Sequence, residues 1–376
     1  MFMLPPSPFS NNSNDNNDNK ERVDKGFNLL ELASKVVPQG QIVQTAKQSW
    51  NFLWRRFMVE LAPQDKTGSY QRPKYDGFDN TLGSNQYPIE GNQRYHVYVG
   101  NPCPWCHRVR LTVQLLELEE HHVGMTRLVD DPVKASRGGW VFATPPLQAP
   151  NVHDLRELYE LCHPGFAGRC TAPVLVDWKT GTIVSNESKD IVRMLPLLLQ
   201  AKHPSGSDEH VKKTFLDLCP AELQSQIDET NEWIYRCINN GVYQCGFSTT
   251  QDAYDRASAL VRQGLDRCED ILKKQPYLCG DAFTESDVFL LPTMLRFDAV
   301  YAPLFGAGGS RHWRLACDYP HIFQWLKRCW KDIPGVSQSI ELTDACQSYY
   351  KQLFPLNPGG ILPSQPMTAK LLGLED

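Results

Sequence analysis

Six residues, Cys103-Pro104-Trp105-Cys106-His107-Arg108, constrain this chain more than any other stretch. They follow a strand-like alternation, Tyr95-His96-Val97-Tyr98-Val99-Gly100, and open a segment in which Val109, Thr112, Val113 and Leu116 recur at helical spacing. Two cysteines three apart at a strand-to-helix junction are a redox signature. Proline suits the first helical position, where its missing N–H costs nothing, so Cys103 is expected at the N-cap. Unpaired backbone N–H groups and the positive end of the helix dipole then point at its sulfur. With Arg108 and Arg110 adding positive charge, such a setting lowers a thiol pKa from about 8.5 into the range of about 3.5–7.5. Cys103 is the candidate nucleophile.

Three other readings compete. Cys103-x-x-Cys106-His107 matches the c-type haem attachment pattern, with no independent support elsewhere in the chain. A zinc site would need a second Cys or His pair at short spacing, and the remaining cysteines are scattered singly. A buried structural pair is the third, since cysteine is among the most buried residue types, although the proline placement argues against it.

A chain of 376 residues is long enough for about two domains. Its net charge of -5 gives no reason to expect nucleic-acid binding. Twelve cysteines without framework spacing fit reduced thiols in an intracellular compartment. No apolar run approaches the ~20 residues of a membrane span, so no integral membrane segment is expected. The first residues lack the basic region and apolar core of a signal peptide. Acidic residues soon after them count against a simple transit peptide. A cytoplasmic protein is expected, with a plastid location left open.

Residues 1–25 contain an Asn-rich tract, Asn11 to Asn19, too polar to offset the entropy of ordering, and read as a disordered tail. Residues 26–91 read as a helical extension and a loop. Phe27, Leu30 and Ala33 recur at helical spacing, as do Val43, Ala46, Trp50, Trp54 and Phe57. Lys47, Arg55 and Arg56 make the second stretch basic and amphipathic, suited to a membrane surface or a partner helix. The favoured expectation is that it packs on the body of the protein. Residues 92–200 read as strand, helix, strand, insertion, helix, hairpin, helix. Within them, Ala172-Pro173-Val174-Leu175-Val176 places a proline before a strand. Glu187 and Ser188 precede the helix Lys189 to Leu195, where they suit an amino group and a carboxylate. Ordinary helix capping explains the same residues. Residues 201–350 read as helical, over Leu223 to Ile238, Ala253 to Leu272, Val288 to Phe297 and Tyr319 to Trp330, and residues 351–376 as a Pro-rich tail wrapping over the body. Thr284-Glu285-Ser286-Asp287 has capping-box spacing, with Phe283 and Val288 placed as a hydrophobic staple.

The fold class expected is α/β plus all-α, a thioredoxin-like domain followed by an all-helical one, which is the glutathione transferase architecture. The chain resembles the Xi-class glutathione transferases, or glutathionyl-hydroquinone reductases, from about residue 88 to about 350. The resemblance rests on Cys103-Pro104-Trp105, Gly138-Gly139-Trp140-x-Phe142, Asn186-Glu187-Ser188, Asn239-Asn240-Gly241-Val242-Tyr243 and Arg296-Phe297-Asp298-Ala299-Val300-Tyr301, in that order. It implies that glutathione is the co-substrate, that no metal is needed, and that Cys103 attacks the sulfur of a glutathionylated quinol or thiol. It implies that Trp140 stacks on glutathione, Arg156 binds a carboxylate, Ala172 beside a cis Pro173 bonds the cysteinyl part, and Glu187 with Ser188 holds the γ-glutamyl group. Tyr243, Tyr301 and Tyr349 then meet the quinol oxygens, although buried core tyrosines are the duller alternative for each. A homodimer is also implied.

Three departures from the family pattern stand out. Cys106 replaces a small residue and is the candidate resolving cysteine of a dithiol route. Ala302 to Gly309 is glycine-rich where a basic, cysteine-containing stretch is usual. Lys351-Gln352 follows Tyr349-Tyr350 in place of a hydroxyl-plus-histidine pair. A glutaredoxin- or omega-like dithiol oxidoreductase or protein deglutathionylase is therefore the rival activity. A non-catalytic binding module is the rival from another class.

Overall fold

The alternating run before Cys103 is the centre of a mixed sheet in the computed structural model, which describes residues 35–73, 77–119, 121–201, 216–309, 314–365 and 367–375. The Asn-rich tract, the Phe27–Ala33 stretch and the interdomain segment 202–215 lie outside them. Ahead of the sheet stands α1 (Gln39–Leu61). Then come β1 (Tyr95–Gly100), α2 (Pro104–Leu115), β2 (Val123–Asp130), β3 (Trp140–Phe142), α3 (Leu155–Cys162), β4 (Val174–Asp177), β5 (Thr182–Ser185) and α4 (Ser188–Met194). The strand order is β3-β2-β1-β4-β5. β1 runs parallel to β2 and antiparallel to β4, and the β2–β3 and β4–β5 pairs are antiparallel. All six residues of β1 are buried, as a central strand covered on both faces requires. The three-residue edge strand β3 was not legible as a strand. It forms because Trp140, Val141 and Phe142 pair with Asp130, Val129 and Leu128.

Beyond the sheet the regular elements of the described residues are helices: α5 (Gln224–Ile234), α6 (Gly241–Phe247), α7 (Gln251–Leu272), α8 (Glu285–Arg296), α9 (Leu315–Asp318), α10 (Pro320–Asp332) and α11 (Leu342–Gln352). π-helical turns at Tyr235–Asn239 and Phe297–Tyr301 follow α5 and α8. The expected box starts α8, where the Asp287 carboxylate accepts from the N–H and hydroxyl of Thr284. This helix is buried along its whole length and packs on both α2 and α5. The thiol-bearing helix is thus seated on the helical domain.

The expectation for α1 needs correcting. Met58 is its one buried residue. Val43, Trp50 and Leu53 stay exposed, so the helix does not lie along the body. Its last turns alone dock on the C-terminal tail. Trp54 Nε1 donates to the Pro355 carbonyl at 3.3 Å, and Phe57 meets Phe354 edge-on.

Candidate active site

Cys103 is the N-cap of α2, with extended backbone and Pro104 at the first helical position. The residue is partly exposed, and its sulfur accepts from the Cys106 N–H at 3.4 Å. As a thiol it donates to the Ala172 carbonyl at 3.6 Å. The Ala172–Pro173 bond is cis, as the resemblance implied. Burial alone would push the Cys103 thiol up. Hydrogen bonds from the Cys106 side chain and from the Cys106 and Trp105 backbone, with the charge of Arg72, together outweigh it and bring the thiol down to about 7. Burial and the neighbouring Cys103 push the Cys106 thiol the other way, well above its ordinary value. The two cysteines are thus unequal: one is ready to ionise and the other is a buried hydrogen-bond donor. Among the described residues no group of His, Cys, Asp and Glu is placed to hold a metal ion.

The charge acting on Cys103 does not come from where the sequence suggested. Arg108 lies 4.7 Å from the centre of the Trp105 ring but directs its hydrogen bonds to the helical domain, donating to Asn239 Oδ1 at 2.6 Å and to the Phe289 carbonyl. Arg110 donates to Asn101 Oδ1 at 2.7 Å and pairs with Glu341. Arg72 supplies it instead, from the loop between α1 and β1, with its guanidinium carbon 3.9 Å from the centre of the Trp105 ring. Sequence reasoning missed it because nothing local marks a loop arginine. A second missed residue is Arg296, fully buried, which donates to the Asn101 and Pro102 carbonyls and fixes the turn leading into Cys103.

The glutathione-side candidates come from separate elements. Trp140 on β3 lies against the end of β1 so closely that a Cβ on Gly100 would stand 2.2 Å from its ring. Glycine at 100 is therefore what lets the indole approach the strand that delivers Cys103. Arg156 on α3 pairs with Glu160 through Nη2 at 3.1 Å, while its buried Nη1 has no hydrogen-bond partner. Such an orphan donor fits a ligand carboxylate. Glu187 caps α4, accepting from Lys189 N–H and from the hydroxyl of buried Ser188. The capping explanation of this pair is therefore also real.

All three tyrosines come together, Tyr349 included. Their hydroxyls form a closed triangle with sides of 3.2, 2.8 and 2.9 Å. Burial pushes each phenol up, and the charge on Cys103 adds to the shifts of Tyr243 and Tyr301, so they stay neutral acid groups at physiological pH. Phe305, from the glycine-rich segment that departs from the family pattern, packs edge-on against Tyr243, Tyr301 and Tyr349. Gly246 makes room for it, since a Cβ there would lie 2.1 Å from the Phe305 ring. Trp105 stacks on Tyr243 and so joins the thiol motif to the tyrosine triangle.

Comparison with known proteins gives this arrangement a family. The model for the glutathione S-transferase N-terminal domain matches residues 102–197, and that for the C-terminal domain matches residues 251–328. The chain is 37% identical to glutathione S-transferase omega-like 2 of Schizosaccharomyces pombe, over 80% of this chain and 95% of that protein. It is 35% identical to the glutathionyl-hydroquinone reductase YqjG of Escherichia coli K12, over 77% and 84% of the two chains. The glutathione-bound structure of that reductase superposes with a TM-score of 0.66, covering 78% of this chain and 94% of its own. The crystal structure of glutathione transferase Xi from Phanerochaete chrysosporium, 33% identical, superposes with a TM-score of 0.69 over 81% and 95%. The chain belongs to the glutathione transferase family, among its Xi-class and glutathionyl-hydroquinone reductase members, and is a glutathione-dependent enzyme of the oxidoreductase/transferase kind.

Proposed function

We propose that the protein removes glutathione from glutathionyl-hydroquinones or related aromatic adducts through a Cys103–glutathione mixed disulfide. One observation carries the reading: a low-pKa, partly exposed N-cap cysteine lies within electrostatic reach of a closed triangle of neutral tyrosine hydroxyls, joined to it by Trp105. The Cys103 thiolate attacks the adduct sulfur, and the carbon–sulfur bond breaks with its electron pair going to the aromatic carbon. That carbon takes up one proton, and the hydroquinone leaves. A second glutathione thiol gives up its proton and attacks the glutathionyl sulfur, releasing oxidised glutathione and the Cys103 thiolate. The two steps sum to adduct plus glutathione giving hydroquinone plus glutathione disulfide.

In this reading Trp140 stacks on glutathione and the free Nη1 of Arg156 takes a carboxylate. Ala172, beside Pro173, bonds the cysteinyl part, and Glu187 with Ser188 holds the γ-glutamyl group. Tyr243, Tyr301 and Tyr349 meet the quinol oxygens. In a closed ring of three hydroxyls each proton is already donated inward, leaving acceptor lone pairs outward. A hydroquinone, which carries O–H donors, fits such a ring. Homodimer formation and a cytoplasmic setting belong to the same proposal.

The rival dithiol route has one observation in its favour, the hydrogen bond between the two cysteine side chains. Full burial and a raised pKa make Cys106 a poor nucleophile, because the thiolate is the attacking species. Turnover by Cys106→Ser separates the two: retained activity supports the monothiol route, and its loss supports the dithiol one.

A further inference from the structure

We infer that Arg72, which lies outside both matched transferase domains, is an electrostatic positioning residue that stabilises Cys103 in its reactive form through its seat on Trp105. The inference rests on the reading of Cys103 as nucleophile.

The seat is built. Asp65 organises the loop by accepting from the Thr67 and Ser69 N–H groups, the Thr67 hydroxyl and the Gln71 amide. The loop is bolted to the helical domain. Thr249 N–H donates to the Gly68 carbonyl at 3.0 Å, the Thr250 hydroxyl to the Thr67 carbonyl at 2.7 Å, and Tyr70 packs edge-on against Phe247. Arg72 is then carried across to the thioredoxin-like domain, where it lies 3.9 Å from the centre of the Trp105 ring, two residues along from Cys103. Among the described residues no carboxylate forms an ion pair with it, and Glu187 is the acidic group that shares its neighbourhood. A guanidinium held over an indole keeps a fixed position, and an unpaired one exerts its field on whatever anion is near.

The groups facing Cys103 leave Arg72 as the cation that matters. Cys106 comes from its own helix as a neutral donor. Tyr243 and Tyr301, from the helical domain, are neutral and uncharged toward it. Arg108 also stacks on Trp105, at 4.7 Å, and keeps its charge on neutral acceptors, Asn239 and Phe289, but burial lowers its pKa to about 9 and the Glu187 carboxylate acts on it as a counter-charge.

The test is the pH profile of Cys103 alkylation by iodoacetamide, followed by mass spectrometry of the Cys103 peptide, in the full chain. Arg72→Met keeps the stem and removes the charge; Arg72→Lys keeps the charge. Arg72→Met should alkylate about fivefold more slowly at pH 6.5 and at the wild-type rate at pH 9.5, as loss of one nearby charge predicts. Arg72→Lys should recover most of that loss. An unchanged midpoint in Arg72→Met overturns the inference, as does Arg72→Lys behaving like Arg72→Met. Should Arg72→Met fail to fold, seen as a lost melting transition, the lysine variant carries the test alone, and a midpoint moved as high as that of a free thiol overturns the inference. A wild-type midpoint near that of a free thiol is a different failure, which removes the reading of Cys103 itself.

Discussion

Replacing Cys106 by alanine tests how the reactive thiol is made. At a pKa of about 7, half of Cys103 is thiolate at neutral pH, against about 3% for a thiol at its ordinary value near 8.5. Among the influences that lower it, the Cys106 side chain leads. A hydrogen bond to a charged group is worth about 1.5–3 kcal/mol, and one pKa unit is about 1.4 kcal/mol. The lower end of that range predicts that Cys106→Ala raises the Cys103 midpoint by about one unit. Thiolate at pH 7 then drops from about a half to about a tenth, and alkylation slows about fivefold. The two curves should converge by about pH 9.5, where both thiols are ionised. Cys106→Ser, which keeps an O–H donor at the same place, should stay near the wild type. Peptide-resolved alkylation between pH 5 and 10 reads this directly. A Cys106→Ala midpoint equal to the wild-type one would refute the reasoning and leave the helix N-terminus and Arg72 as the whole cause.

Three other outcomes are expected. Gly100→Ala drives a Cβ into the Trp140 ring, costs about 1–3 kcal/mol by thermal melts, and raises the KM for glutathione about tenfold; an unchanged KM would show that Trp140 does not contact it. Tyr301→Phe deletes two sides of the hydroxyl triangle and should lower kcat/KM for the aromatic adduct about tenfold, while glutathione still reduces a preformed Cys103 mixed disulfide at the wild-type rate. Burial raises the partly buried Asp130 carboxyl to about 6, so the folded state holds its proton more tightly than the unfolded state does. Stability is therefore lost as pH rises through about 4 to 6, and Asp130→Asn should be more stable by about 1 kcal/mol at pH 8, with the difference gone near pH 4; a gap that widens toward acid would contradict this.

Local chemistry explains what could be read from the chain. The N-cap place of Cys103 follows from one proline and a change of period from two to 3.6. The start of α8 follows from Thr284 and Asp287, which are three residues apart. The cis Pro173 and the tyrosine set came from the resemblance rather than from periodicity. What escaped depends on contacts distant in sequence. Arg72 reaches Trp105 only because Gly68 and Thr67 are held by Thr249 and Thr250, some 180 residues on. The directions taken by Arg108 and Arg110 are set by Asn239, Phe289 and Glu341, acceptors from the helical domain that no local pattern announces. For α1 the pattern was misleading in another way. Amphipathicity shows that a face can be buried, not what covers it, and most of this face is left exposed.

The most direct test of the account is turnover of a glutathionyl-hydroquinone with glutathione by the wild type and Cys103→Ser, following hydroquinone release and glutathione disulfide together. The account predicts one disulfide per hydroquinone from the wild type and neither product above background from Cys103→Ser. Hydroquinone release by Cys103→Ser at the wild-type rate would contradict it.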